Sequence, residues 1–109
     1  MRETGICLSR PEATFSHRAA ALIIKDGKLL AAKGTNSPYY ISGGVIELNE
    51  SSEEAVRREV WEEIGLRLEI DKLAFINERF FRVGKENLHE IVFLFNERGG
   101  YSYRGKHGH

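Results

Sequence analysis

Residues that form covalent or metal cross-links are scarce in this sequence. Cys7 is the one cysteine among 109 residues, so the chain can form no internal disulfide and offers no cysteine pair for a zinc site. A low cysteine count without a possible internal disulfide is typical of proteins in a reducing compartment, so we expect a cytoplasmic location. A chain of this length, with 41% hydrophobic and 29% charged residues, is expected to fold as one domain over residues 1–109.

The sequence also lacks an excess of charge and a long hydrophobic run. Sixteen Lys and Arg balance sixteen Asp and Glu, which argues against the basic surface that binds nucleic acid backbones. Charged and polar residues interrupt the first 25 positions, and no apolar run approaches the roughly 18 residues of a membrane span. We therefore expect a chain that binds neither nucleic acid nor membrane.

The hydrophobic pattern predicts the order β-β-α-β-β. Asp26-Gly27 between two short apolar runs is typical of a β-hairpin, and aromatic and β-branched runs follow the helix. The four predicted strands of this order are 18–25, 28–33, 66–81 and 88–95, with a loop at 82–87, and residues 39–41 form an additional brief strand before the helix. Residues 1–16 form either an arm or a first strand, and the Gly-rich residues 97–109 are expected to form a weakly structured tail.

One helix is predicted between residues 50 and 65. Ser51 and Glu54 have the spacing of a capping box, and Gly65 is placed where a left-handed residue ends a helix. At about 100° per residue, the helix has an apolar stripe and an acidic stripe. The apolar stripe contains Val56, Val60 and Ile64, and the acidic stripe contains Glu59, Glu62 and Glu63.

The acidic stripe has two interpretations. Carboxylates at i, i+3 and i+4 repel one another, and on an arbitrary helix they form a solvated face with partial counter-charges from Arg57 and Arg58. Carboxylate oxygens are also the ligands of Mg²⁺ and Mn²⁺. The residues on either side of the stripe decide between these interpretations.

The flanking residues form a 23-residue pattern. Gly44 is followed by five residues and Glu50, then by seven residues and the run from Arg58 to Leu66, REVWEEIGL. This resembles the Nudix box, G-x5-E-x7-R-E-U-x-E-E-x-G-U with U an aliphatic residue, and every fixed position between 44 and 66 is matched. A pattern with so many fixed positions is far more specific than a lone glycine motif. In this region the chain therefore resembles the Nudix hydrolases.

The resemblance implies a site on a loop-helix-loop scaffold. It implies Mg²⁺, or Mn²⁺, bound by Glu59, Glu62, Glu63 and the carbonyl oxygen of Gly43. Catalytic roles fall to Glu59 as the base, Glu63 and Arg58, while Arg58 and Glu50 tie the loop to the helix. Substrate contacts are implied for Gly43, Gly44, Tyr39 and Glu47. Arg58 as a surface arginine and Glu47 as an exposed loop residue remain alternatives.

The implied activity is hydrolysis of the pyrophosphate bond in a nucleoside diphosphate derivative, a small-molecule substrate. The alternative is a Nudix-like protein that binds a nucleotide or a partner without turnover. No proline follows Pro38, so the proline that marks ADP-ribose enzymes after the box is absent, and Ser42 stands where many relatives have a proline.

The expected fold is α/β, a mixed sheet of Nudix type with the loop-helix-loop, and we expect the C-terminal helix of the family to be lacking. A sheet covered by one helix leaves apolar residues exposed, so a homodimer is a possible consequence.

Overall fold

The computed structural model describes residues 4–25, 28–30 and 42–103. One helix and six strands occur in these ranges. In chain order they are β1 (Cys7–Ser9), β2 (Thr14–Lys25), β3 (Lys28–Leu30), β4 (Gly43–Val45), α1 (Ser52–Ile64), β5 (Leu66–Val83) and β6 (Glu86–Tyr103).

The strands form one mixed sheet with the order β1-β2-β6-β5, in which β3 and β4 also pair with β2. The β2–β6 pair is parallel, and the other strand pairs are antiparallel. The short strand β4 places Gly44 opposite Ala19 and Gly43 opposite Ala20. The expected mixed sheet with one helix is confirmed for the residues that the structure describes.

Helix α1 packs its apolar stripe against the sheet. Ala55, Val56 and Val60 are fully buried in the core, and Ile64 packs against it. Ser51 accepts a hydrogen bond from the backbone N–H of Glu54, whose side chain accepts one from the N–H of Ser51. Gly65 ends the helix with φ 71°, a left-handed conformation that glycine adopts without steric cost. The predicted capping box, apolar stripe and C-terminal glycine are confirmed.

The strand predictions need correction at several ends. β2 begins at Thr14 rather than at residue 18, because its first residues pair with both β1 and β6. The predicted loop at 82–87 is wrong: Arg82 pairs with Asn87 and Val83 with Glu86, so a two-residue turn at Gly84-Lys85 joins β5 to β6. Positions 31–33 and the predicted strand 39–41 lie outside the described residues.

The predicted tail also needs correction, because β6 continues to Tyr103. Residues 101–103 pair with 66–68 of β5, so the backbone of 97–103 is strand, while 104–109 lie outside the described residues. The neighbouring strand supplies the hydrogen bonds that the Gly-rich sequence does not predict. In the described part of the chain α1 is the only helix, and no helix there is long and apolar enough to cross a membrane.

Candidate active site

A cleft of about 550 Å³ opens between β4 and the acidic side of α1. The helix supplies carboxylates from one side, and β4 supplies backbone without side chains from the other. Its lining comprises Gly5, Arg18, Gly43, Gly44, Val45, Glu47, Glu59, Glu62 and Glu63. The structure therefore brings together the acids and the paired glycines of the sequence pattern, and it adds Gly5, Arg18 and Val45. Tyr39, the remaining predicted substrate contact, lies outside the described residues.

Gly44 and Glu59 are in close contact. A Cβ on Gly44 would lie 2.3 Å from Oε1 of Glu59 and 2.4 Å from its Cδ. Real Cβ atoms essentially never approach a heavy atom so closely, so the carboxylate occupies the space that any other residue would fill. The glycine thus allows an anionic side chain to lie directly against the β4 backbone.

Arg58 and Glu50 tie the loop before the helix to the helix itself. Nε of Arg58 donates to Oε2 of Glu50 at 2.7 Å and Nη2 donates to Oε1 at 2.9 Å. Nη2 also donates to the carbonyl oxygen of Val45 at 3.2 Å. Both charged side chains are less than one-quarter exposed, and the hydrogen bonds to Glu50 raise the pKa of Arg58 above its ordinary value. This two-pronged contact requires the planar guanidinium of arginine.

The remaining nitrogen of Arg58 faces the acidic stripe. Nη1 donates to Oε2 of Glu59 and lies 3.5 Å from Oε1 of Glu62. It is also 3.8 Å from a carboxylate oxygen of Glu47. The guanidinium of Arg58 therefore offsets the repulsion among several carboxylates. The spacing of the acidic stripe predicts this repulsion, because it places like charges three and four residues apart on one helix.

Two hydroxyl groups hold acids at the cleft. The buried Ser42 donates from Oγ to Oε1 of Glu63 at 2.7 Å. The exposed Thr4 donates from Oγ1 to Oε1 of Glu47 at 3.0 Å. Neither contact is visible in the sequence, because each joins residues more than twenty positions apart.

The donor set suits a hard divalent cation by its chemistry. Glu59, Glu62 and Glu63 present carboxylate oxygens to one cleft, and Gly43 adds backbone without a side chain; oxygen ligands are what Mg²⁺ and Mn²⁺ prefer. Among the residues that the structure describes, however, no three acidic, histidine or cysteine side chains converge tightly enough to enclose an ion. The carboxylates are instead turned toward Arg58 and Ser42.

Arg18 is the cleft residue that sequence reasoning missed most clearly. It lies on β2, opposite Val45 of β4, and its Nε is 3.9 Å from a carboxylate oxygen of Glu90 on β6. It brings a positive charge to an acidic lining. Its place at the start of the predicted strand 18–25 gives no sign of this role, because its nearness to the cleft depends on the pairing between β2 and β4.

Comparison with known proteins identifies the family. The family model described as NUDIX domain matches residues 15–106. The chain belongs to the Nudix family.

Two curated relatives and one solved structure illustrate the similarity. A MutT-like protein of Streptomyces ambofaciens is 37% identical over 83 residues, which are 75% of this chain and 51% of the relative. An ADP-ribose pyrophosphatase of Methanocaldococcus jannaschii is 34% identical over 93 residues, covering 79% of this chain and 55% of the relative. The crystal structure of a MutT NUDIX hydrolase from Burkholderia pseudomallei superposes with a TM-score of 0.64 at 26% identity, covering 83% of this chain and 70% of that chain.

The chain thus spans about half the length of the curated relatives it matches. The Nudix box predicted at residues 44–66 lies inside the matched region.

Proposed function

We propose that this chain hydrolyses the pyrophosphate bond of a nucleoside diphosphate derivative and that the reaction depends on a divalent cation. The observation that carries the proposal is the contact of Glu59 with Gly44 inside the acidic cleft, which brings a carboxylate against open backbone. Family membership supports the same reaction, because relatives of this chain include a protein named as a pyrophosphatase.

Glu59, Glu62, Glu63 and the carbonyl oxygen of Gly43 would hold the cation, with Mg²⁺ the first candidate and Mn²⁺ the second. When bound, the cation neutralises the negative charge that develops on the diphosphate oxygens. Glu59 and Glu62 would have to turn from Arg58, whereas Glu63 would keep the hydrogen bond that Ser42 donates to its Oε1.

In the proposed reaction Glu59 is the base. Its carboxylate accepts a proton from the attacking water, whose oxygen forms a bond to one phosphorus of the diphosphate. The bond from that phosphorus to the bridging oxygen breaks, and the leaving phosphate keeps the electron pair. The products are a nucleoside monophosphate and the phosphorylated second group. Arg58 and Glu50 hold the helix against the loop, so that Glu59 stays in place beside Gly44.

The small-molecule substrate is proposed from the relatives and the cleft. A relative named ADP-ribose pyrophosphatase supports ADP-ribose as the first compound to test, although the downstream proline typical of such enzymes is absent. Gly43, Gly44 and Glu47 line the cleft and are the proposed substrate contacts, with Tyr39 as an aromatic contact. Nucleoside triphosphates and sugar nucleotides complete the panel.

The test is a panel of these nucleotides incubated with Mg²⁺ and scored for released nucleoside monophosphate. We expect the wild type to hydrolyse at least one compound and Glu59→Gln to lose nearly all of that activity. A wild-type rate in Glu59→Gln would refute the assignment of the base. If the wild type released no monophosphate from any compound with Mg²⁺ or Mn²⁺, the hydrolase proposal would be refuted.

A second candidate function is binding of a nucleotide or partner without turnover. The contact of Arg58 with Glu59 and the lack of convergence among the described acids favour it. Nucleotide binding that shifts the melting temperature while no monophosphate appears would support this candidate over the hydrolase.

We also propose a homodimer and a cytoplasmic location. Within the described sheet β5 is an end strand, and it exposes large apolar side chains at Phe75, Ile76, Phe80 and Val83. An end strand presents free backbone hydrogen-bonding groups, and a second copy related by a two-fold axis would cover them. Light scattering tests the dimer: a monomer at high protein concentration would refute it.

The proposed cytoplasmic location is supported by the single cysteine, because few cysteines and no disulfide pair are typical of a reducing compartment.

A further inference from the structure

Ser42 is a buried hydroxyl group aimed at one acid of the cleft. It is 2% exposed, and its Oγ donates a hydrogen bond of 2.7 Å to Oε1 of Glu63. Glu63 itself is exposed, on the acidic side of α1 that lines the cleft. Glu59 and Glu62 instead lie beside the positively charged guanidinium of Arg58. Glu63 therefore differs from its two neighbours in accepting its hydrogen bond from a neutral hydroxyl group.

The sheet fixes the position of this hydroxyl. The carbonyl oxygen of Ser42 accepts a hydrogen bond from the N–H of Ala21 at 3.0 Å, and the next residue, Gly43, pairs with Ala20. Ala21 is fully buried in the core. The donor is therefore anchored on rigid backbone, whereas a glutamate on a helix surface would otherwise sample several rotamers.

We propose that Ser42 is a positioning residue that orients Glu63 for the divalent cation. The inference rests on the proposed function, because it assumes that Glu63 is a ligand. The hydrogen bond occupies Oε1 and leaves Oε2 for the cation, and the rotamer entropy of Glu63 is lost before the ion binds. Hydrogen-bonded partners of ligating carboxylates commonly set metal affinity in this way.

Ser42 stands at a position where many relatives of this chain have a proline. A proline at that position would stiffen the loop through its backbone, and its replacement predicts a looser loop. The structure adds a separate consequence of serine at this position, a buried side chain that makes a direct contact with a proposed ligand. A proline has no donor with which to make that contact.

The test is Mn²⁺ binding, measured from the electron paramagnetic resonance signal of free Mn²⁺, without nucleotide. We expect Ser42→Ala to bind Mn²⁺ about tenfold more weakly than the wild type, in line with the loss of a partner to a metal ligand. Ser9→Ala is the matched control, because it removes a hydroxyl that hydrogen-bonds to Thr14 on the exposed surface. Its affinity should equal that of the wild type.

A double-mutant cycle separates positioning from a general effect on the fold. In a Glu63→Ala background, the further change Ser42→Ala should leave Mn²⁺ affinity unchanged, because its target is gone. Equal affinities of Ser42→Ala and wild type would overturn the inference, and so would a tenfold loss that persists in the Glu63→Ala background. If the wild type itself bound no Mn²⁺, the proposed metal site would be refuted and this inference with it.

Discussion

Replacing Gly44 by alanine should damage the site without unfolding the domain. The new Cβ would lie 2.3 Å from Oε1, 2.4 Å from Cδ and 2.9 Å from Cγ of Glu59. All three atoms belong to a flexible side chain, so the helix and the sheet can stay in place while the carboxylate moves. Ordinary van der Waals contact begins at 3.4 Å, so Cδ of Glu59 must move by about 1 Å.

The expected loss of activity follows from that displacement. A misplacement of about 1 Å at a reacting group costs on the order of 100-fold in rate, and we expect a decrease of this size in kcat. The free energy of unfolding should change by less than about 1 kcal/mol, since alanine also reduces the conformational freedom of the unfolded chain.

Two other glycines provide controls for Gly44→Ala. Gly84 has φ 61° and nothing within 4 Å of its Cβ position, so Gly84→Ala should cost about 1 kcal/mol of stability through its left-handed backbone and leave kcat unchanged. A Cβ on Gly43 would lie 2.2 Å from the backbone oxygen of Ala19, so Gly43→Ala should not fold stably. The assay pairs kcat for the best nucleotide with urea unfolding. A Gly44→Ala enzyme with wild-type kcat would refute the placement of Glu59.

Three further outcomes are expected. Arg58→Lys should lower the free energy of unfolding by about 1–3 kcal/mol in urea titrations, because lysine cannot make the two-pronged contact with Glu50; unchanged stability would contradict this. Arg18→Gln should raise KM for the best nucleotide with little change in kcat, whereas Arg79→Gln, which contacts the same Glu90 but is not among the residues lining the cleft, should leave both unchanged. Burial lowers the pKa of His17 in the folded protein, so as the pH falls the imidazole is protonated in the unfolded chain before it is protonated in the folded one. The free energy of unfolding should therefore decrease as the pH drops below about 6.5. The melting temperature of His17→Phe should depend less on pH in this range.

The helix and its acids could be predicted because their signals are local. The capping pair Ser51 and Glu54, the terminal Gly65 and the stripe through Val56 and Val60 all lie within one helix length of one another. Each depends on a spacing of three or four residues, which the sequence displays directly. The geometry of α1 follows from these positions alone.

The sheet contacts could not be predicted in the same way. Thr14 pairs with Leu88 in the parallel β2–β6 ladder, and nothing in either segment identifies the other. The end of the β5–β6 hairpin carries polar, exposed residues such as Arg82 and Asn87. Without a buried face, strand residues there lack the alternation that distinguishes them from a loop.

The charge balance of the cleft shows why arginine suits position 58. The spacing of the stripe predicts repulsion, and the structure offsets it with one guanidinium whose nitrogens divide between two tasks. Nε and Nη2 bind Glu50, while Nη1 faces Glu59 and Glu62. A cation entering the cleft would compete only for the contacts of Nη1, so the acids can be released while the loop stays tied to the helix. The ammonium group of lysine is a single point charge and could not keep one contact while giving up the other.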